Sequence, residues 1–97
     1  MVLIGSEAGE IAMGIPEVER FFTRLFARTS TFSCEERSVA GAMAGDTAWF
    51  FADGFIVMKE VGARKSAPYR VSGVLERADG RWRWKLYHGS EPVPAPA

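Results

Sequence analysis

Two periodicities divide the chain. From Ile15 to about Arg28, Val18, Phe21, Phe22, Leu25 and Phe26 recur at i, i+3, i+4, i+7 and i+8, which predicts a helix with one apolar stripe. Pro16 suits its first turn, where the missing N–H costs nothing. Glu17 and Glu19 near its start, and Arg24 and Arg28 near its end, suit the helix dipole. From Thr31 onward the alternation becomes strand-like. Thr31 to Met43 reads as a first long strand, one-sided and rich in Thr, Ser and Val. Thr47 to Lys59, with "AWFF" and "FIVM", reads as a second with apolar residues on both faces. Tyr69 to Arg77 reads as a third. Gly45-Asp46 marks a turn, and Gly62 to Ser66 a polar loop. Asp53-Gly54 places turn residues inside a strand, which predicts a bulge or kink, with a hairpin turn as the alternative. Two short strands precede the helix, Val2 to Ile4 and about Glu10 to Met13.

Asp79-Gly80 is a strong signal for a two-residue hairpin loop. Such a loop pairs Ala78 with Arg81, Glu76 with Arg83 and Leu75 with Trp84. Continued without interruption, it pairs Val74 with Lys85, Gly73 with Leu86 and Val71 with His88. Strict alternation then places Trp82, Trp84, Leu86, His88 and Ser90 on one face. Arg81, Arg83, Lys85 and Tyr87 fall on the other. By the same parity Tyr69 shares the face of Val71, and Tyr87 does not. The sequence thus predicts an apolar row that ends in the chain's one histidine.

Composition narrows the class. The 97 residues suffice for one small domain, and 47% are apolar, which fits a packed core. We assign residues 1–90 to that domain and 91–97, "EPVPAPA", to an extended Pro-rich tail. Twelve basic and twelve acidic residues cancel, which argues against a nucleic-acid surface. Cys34 stands alone, so no intrachain disulfide forms. It reads as a small half-buried strand residue in a reduced, cytoplasmic protein. No apolar run approaches a membrane span, and no basic apolar leader is present. One His, one Cys and scattered acids make no metal site, and no phosphate-binding glycine loop appears. No cofactor is implied.

Short strands, a helix and four long antiparallel strands specify an α+β domain with the helix on one sheet face. Within it, "VLIGSEAGEIAMGIPEVERFF" resembles the strand–Glu–Gly–helix segment of SnoaL-like domains. "RVSGVLERADGRWRWKLYHGSEP" resembles their closing hairpin. These domains belong to the nuclear transport factor 2-like superfamily, with ketosteroid isomerases and polyketide cyclases. The resemblance implies a cone: a strongly curved sheet around a helix, an apolar pocket within, and a homodimer or higher homo-oligomer. The family also carries one or two helices ahead of the first strand, so the fold is expected in a form shortened at its N-terminus. Apolar cover would then come from a partner chain, a swapped segment or a repositioned helix.

The resemblance sets Trp49, Trp84 and His88 inside the cone, beneath the helix phenylalanines. His88 is the candidate general base, since an imidazole titrates near neutrality. Glu10, which matches a family position, is the candidate carboxylate beside it. Trp49, Trp84, Tyr69 and Phe22 are the candidate binding residues for a flat apolar ligand. The bland alternatives are a core or interface histidine, packing tryptophans, and solvated acids such as Asp46, Asp53, Glu35 and Glu36. Arg20, Arg24 and Arg28 read as a solvated helix edge. Three functions follow: a pocket that binds a small hydrophobic molecule; an isomerase, cyclase or hydrolase using His88; and an assembly domain without ligand.

Overall fold

The computed structural model describes residues 1–27 and 31–94. Arg28 and the last three tail residues lie outside them, as does the side chain of Phe26. The elements run β1 (Val2–Ile4), β2 (Ile11–Met13), α1 (Ile15–Phe26), β3 (Thr31–Ala44), β4 (Thr47–Glu60), β5 (Ala63–Ala78) and β6 (Arg81–Ser90). They form the expected α+β architecture, a curved and mainly antiparallel sheet carrying one helix. The sheet has six strands in the order β2-β1-β6-β5-β4-β3, because the two short strands join the four long ones. β1 lies parallel to β6, with Val2, Leu3 and Ile4 beside Leu86, Tyr87 and His88.

The helix begins after Gly14, with Pro16 in its first turn. Glu17 reaches back to accept the Met13 N–H at 2.6 Å, tying β2 to the helix start much as a capping box does. Val18 of α1 meets Leu3 and Ala12 in the buried cluster. Met1, Phe21 and Tyr87 pack around it. Phe22 is more exposed, set edge-on against Phe21 with ring centroids 5.6 Å apart.

Three expectations from sequence need correction. The segment 62–66 is not a loop: only a tight turn separates Glu60 from Ala63, and β4 and β5 pair along their whole length, from Thr47–Glu76 to Glu60–Ala63. The bulge foreseen at Asp53-Gly54 lies on the opposite strand. β4 runs through Gly54, while β3 takes up an extra residue, Arg37, between Glu36 and Ser38. Gly54 is what the local contact requires, since a Cβ there would strike the Glu35 carbonyl.

The third correction has the widest effect. The Asp79-Gly80 turn forms with positive φ at both residues, 53° and 72°, as the two-residue loop demands. Pairing runs as expected from Ala78–Arg81 to Leu75–Trp84. The next pair is Val74–Leu86, so Lys85 is bulged out of the ladder. An extra residue reverses all later parity. Gly73 therefore pairs with Tyr87, Ser72 with His88 and Val71 with Gly89. Leu86 and His88 turn to the outer face, away from the helix, and Tyr87 turns to the inner face with Trp84.

Deleting Lys85 should restore simple alternation and throw Tyr87 outward and His88 inward. We expect the deletion to cost more than about 3 kcal/mol, measured by chemical denaturation. A Lys85→Ala substitution, which keeps the extra residue, should cost less than about 1 kcal/mol.

Candidate functional site on the inner sheet face

The helix covers only the β1–β2 end of the inner face. Beyond it, the register carries Tyr87, Gly73, Phe50 and Gly41 across neighbouring strands. Trp84 stands edge-on to Tyr87 at 5.6 Å and to Phe50 at 5.5 Å, the geometry aromatic quadrupoles favour. Together the rings make an apolar floor beside the helix.

Two hydroxyls meet at the edge of this floor. Tyr69 is 8% exposed, and its Oη lies 3.4 Å from that of Tyr87. Gly89 makes the approach feasible, since any Cβ there would overlap the Tyr69 hydroxyl. Burial is the main cause pushing both phenols up from their ordinary value. The Glu10 carboxylate and Cys34 raise Tyr69 further. Both tyrosines are thus held as neutral hydroxyls that can donate and accept hydrogen bonds. Cys34 has its thiol pushed up by burial and by Glu36, which disfavours the thiolate a nucleophile needs.

Glu10 borders the same region from the β1–β2 loop. Its Oε1 accepts the Glu7 N–H at 2.8 Å, and its backbone carbonyl accepts the Gly5 N–H at 2.7 Å. Glu10 lines a cleft of about 200 Å3 with Glu7, Gly9, Ile11, Phe21, Arg24 and Leu25. A smaller hollow of about 20 Å3 opens where Tyr69, Val71, Gly54 and Cys34 meet.

The sheet therefore divides the residues proposed from sequence. Trp84, Tyr69 and Glu10 share the inner face, and Phe22 lies on the helix above it. His88 and Trp49 are on the outer face, Trp49 paired with Val74 and Ala42. His88 and Glu10 are on opposite sides of the sheet, and His88 borders neither hollow. Sequence reasoning missed Tyr87, whose inward turn depends on the Lys85 bulge, and Phe50, which lay in a run apolar on both faces. Among the described residues, no three His, Cys, Asp or Glu side chains gather as a metal site. No helix there is long and apolar enough to cross a membrane.

A curved sheet with one helix on its inner face and an apolar floor between them defines the nuclear transport factor 2-like class. Within that class the chain belongs to the SnoaL-like domain family, whose model matches residues 1–96. Solved structures agree on the fold at low identity. One is a proposed dehydratase of the NTF2-like family from Streptomyces avermitilis, with TM-score 0.81 and 21% identity over 96% of this chain and 67% of that one. An NTF2-like protein of unknown function from Pseudomonas putida gives 0.79 and 16%, over 97% and 66%. A proposed calcium/calmodulin-dependent protein kinase type II association domain from Thiobacillus denitrificans gives 0.77 and 19%, over 96% and 72%. The chain thus spans about two thirds of the length of the first two. No curated protein matches it.

The raised tyrosine values carry a stability consequence. A group whose folded value is raised contributes fully below its unfolded value and loses that contribution as pH climbs toward the folded one. Stability should therefore be flat to about pH 9 and fall above about pH 10. Tyr69→Phe should flatten the fall in denaturation measured across that range. Gly89→Ala should cost about 1–3 kcal/mol at neutral pH through overlap with Tyr69.

Proposed function

We propose that the chain is a ligand-binding module of the SnoaL-like type that works as a homodimer. Its ligand is a small, flat, hydrophobic molecule carrying a carbonyl or hydroxyl oxygen. The observation that carries this reading is the grouping on one face of Phe50, Trp84 and the hydrogen-bonded Tyr69–Tyr87 pair. Rings offer the stacking surface, and neutral hydroxyls offer the polar contact that fixes orientation. Catalysis by His88 with Glu10 is the weaker reading. A general base must lie within hydrogen-bond reach of the proton it takes, and these groups face opposite sides of the sheet.

The homodimer rests on exposed surface. The chain exposes 7146 Å2, against about 5,500 Å2 for a compact monomer of this mass. Its radius of gyration is 14.9 Å, against roughly 12.5 Å for a compact domain of this length. Among the described residues only Leu3, Ala12, Val18, Val57 and Tyr69 are buried apolar side chains. A second copy is the source of cover that the chain itself lacks. An assembly domain without ligand is the second reading, supported by the likeness to the association domain from Thiobacillus denitrificans.

A thermal-shift screen against polycyclic ketones and phenols tests the binding reading. A ligand at about 100 times its Kd should raise the melting temperature by roughly 10–20 °C. Trp84→Ala should abolish the shift, and Trp49→Ala should leave it intact. A shift lost with Trp49 and kept without Trp84 would place the ligand on the other face.

A further inference from the structure

Two glycines stand side by side at the edge of the inner face. The last pair between β1 and β6 is Ile4–His88, so one step further Gly5 lies beside Gly89. Leu3 and Tyr87 face inward, and two steps on Gly5 and Gly89 do too. Neither position has room for a side chain, because each is filled from elsewhere. The Tyr69 hydroxyl occupies the place of a Cβ at Gly89. The Glu10 side chain occupies that of a Cβ at Gly5, with Oε1 2.6 Å from it. One strand spacing, about 5 Å, separates the two positions. A buried phenol and a carboxylate are thus neighbours, and the charge of Glu10 helps to keep the Tyr69 hydroxyl protonated.

Glu10 is fixed in place yet left without a cation. The Gly5 N–H donates to its carbonyl at 2.7 Å, and the Glu7 N–H to its Oε1 at 2.8 Å. Among the described residues no lysine or arginine pairs with it, although such partners reach Glu35, Asp46, Asp53 and Glu76. Glu10 borders the cleft of about 200 Å3, where Phe21 and Leu25 are apolar walls and Glu7 is a second carboxylate against one guanidinium, that of Arg24. Phe21 packs on the buried cluster that Tyr87 joins, and Tyr87 stands edge-on to Trp84. One run of contacts therefore leads from this negative cleft to the aromatic floor.

The hydroxyl pair supplies the other half. Tyr69 and Tyr87 hold two protons and place one between them, which leaves one O–H for an outside oxygen. We infer that the ligand of the aromatic floor is an aryl amino alcohol or aryl amino ketone. Its ring lies on Trp84 and Phe50, and its oxygen meets the Tyr69–Tyr87 pair. An ammonium group on the next carbon is bound by Glu10. The inference rests on the binding reading above and adds the ligand's charge and the residue that selects it. Spacing favours this class. An oxygen and a nitrogen on adjacent carbons, with one hydrogen bond each of about 2.8 Å, span the roughly 5 Å between hydroxyl and carboxylate. Oε1 takes the Glu7 N–H, which leaves Oε2 to accept from the ammonium. A ligand carboxylate in the same place would meet Glu10 and Glu7 as like charges, so the cleft discriminates by repulsion as well as attraction.

Three carbinols with the same naphthyl ring test this, by amide NMR titration of the full chain at neutral pH. Naphthylethanolamine, naphthylethanol and naphthylglycolate end in ammonium, methyl and carboxylate. The amine should bind at least about fivefold tighter than the methyl carbinol, and the carboxylate more weakly than either. The additional shifts caused by the amine should fall at the Gly5, Glu7, Glu10 and Gly89 amides. Glu10→Gln keeps the side-chain length and an oxygen for the Glu7 N–H, and in it the preference for the amine should shrink to within about twofold. If that variant does not fold, salt decides: about 0.5 M sodium chloride should cut the wild-type preference by about half or more. An amine that binds no tighter than the methyl carbinol overturns this inference and leaves the floor as an uncharged site. A preference that persists in folded Glu10→Gln, or that ignores salt, overturns it in the same way. If none of the three binds at millimolar concentration, the binding reading and this inference fail together.

Discussion

One extra residue in the last strand decides which side chains share a surface. With Lys85 bulged between Trp84 and Leu86, the indole of Trp84 and the phenol of Tyr87 lie on the same side of the sheet. The imidazole of His88 is sent to the other. Without the bulge, Tyr87 would face away from Leu3 and α1. The Tyr69–Tyr87 contact and the aromatic floor would both be lost. A local break in the hydrogen-bond ladder thus separates two groups of side chains, the hydroxyl-bearing pair on the inner face and the apolar rows on the outer one. Each is a function of position, not of residue type alone.

Much of the fold was legible because its determinants are local. The i, i+3, i+4 stripe, Pro16 and the acidic first turn fix the helix. Asp79-Gly80 fixes the last turn with positive φ at both residues. Apolar alternation fixes four long strands. The two short strands were also legible, though not their joining to the long ones: the parallel pairing of Val2–Ile4 with Leu86–His88 is a long-range contact that no local signal specifies.

The site was less legible, for a physical reason. Strict alternation is the only rule a sequence supplies for strand faces, and a bulge reverses it without a distinctive residue. Lys85 carries no Gly, Pro or Asn to mark the break. On β3 the displaced residue is Arg37, equally unmarked, and the turn residues Asp53-Gly54 pointed to the wrong strand. Trp84 and Tyr69 were correctly grouped because Trp84 pairs with Leu75 ahead of the bulge, and β5, which carries no extra residue, keeps strict alternation from Leu75 to Tyr69. His88 was misgrouped with Trp84 because it follows it. The resemblance to SnoaL-like domains identified the cone but could not correct a parity error within it.

The Arg37 bulge has a consequence at the scale of many molecules. β3 is an edge strand of 14 residues, long enough to template the addition of foreign strands. Arg37 leaves the ladder at its midpoint, and Glu35 and Glu36 crowd charge beside it, with Glu35 held by Arg64 at 2.8 Å. An incoming strand would meet a kinked, ionic margin that cannot continue the backbone bonding. Growth by lateral strand addition is thereby discouraged, while face-to-face contact stays open.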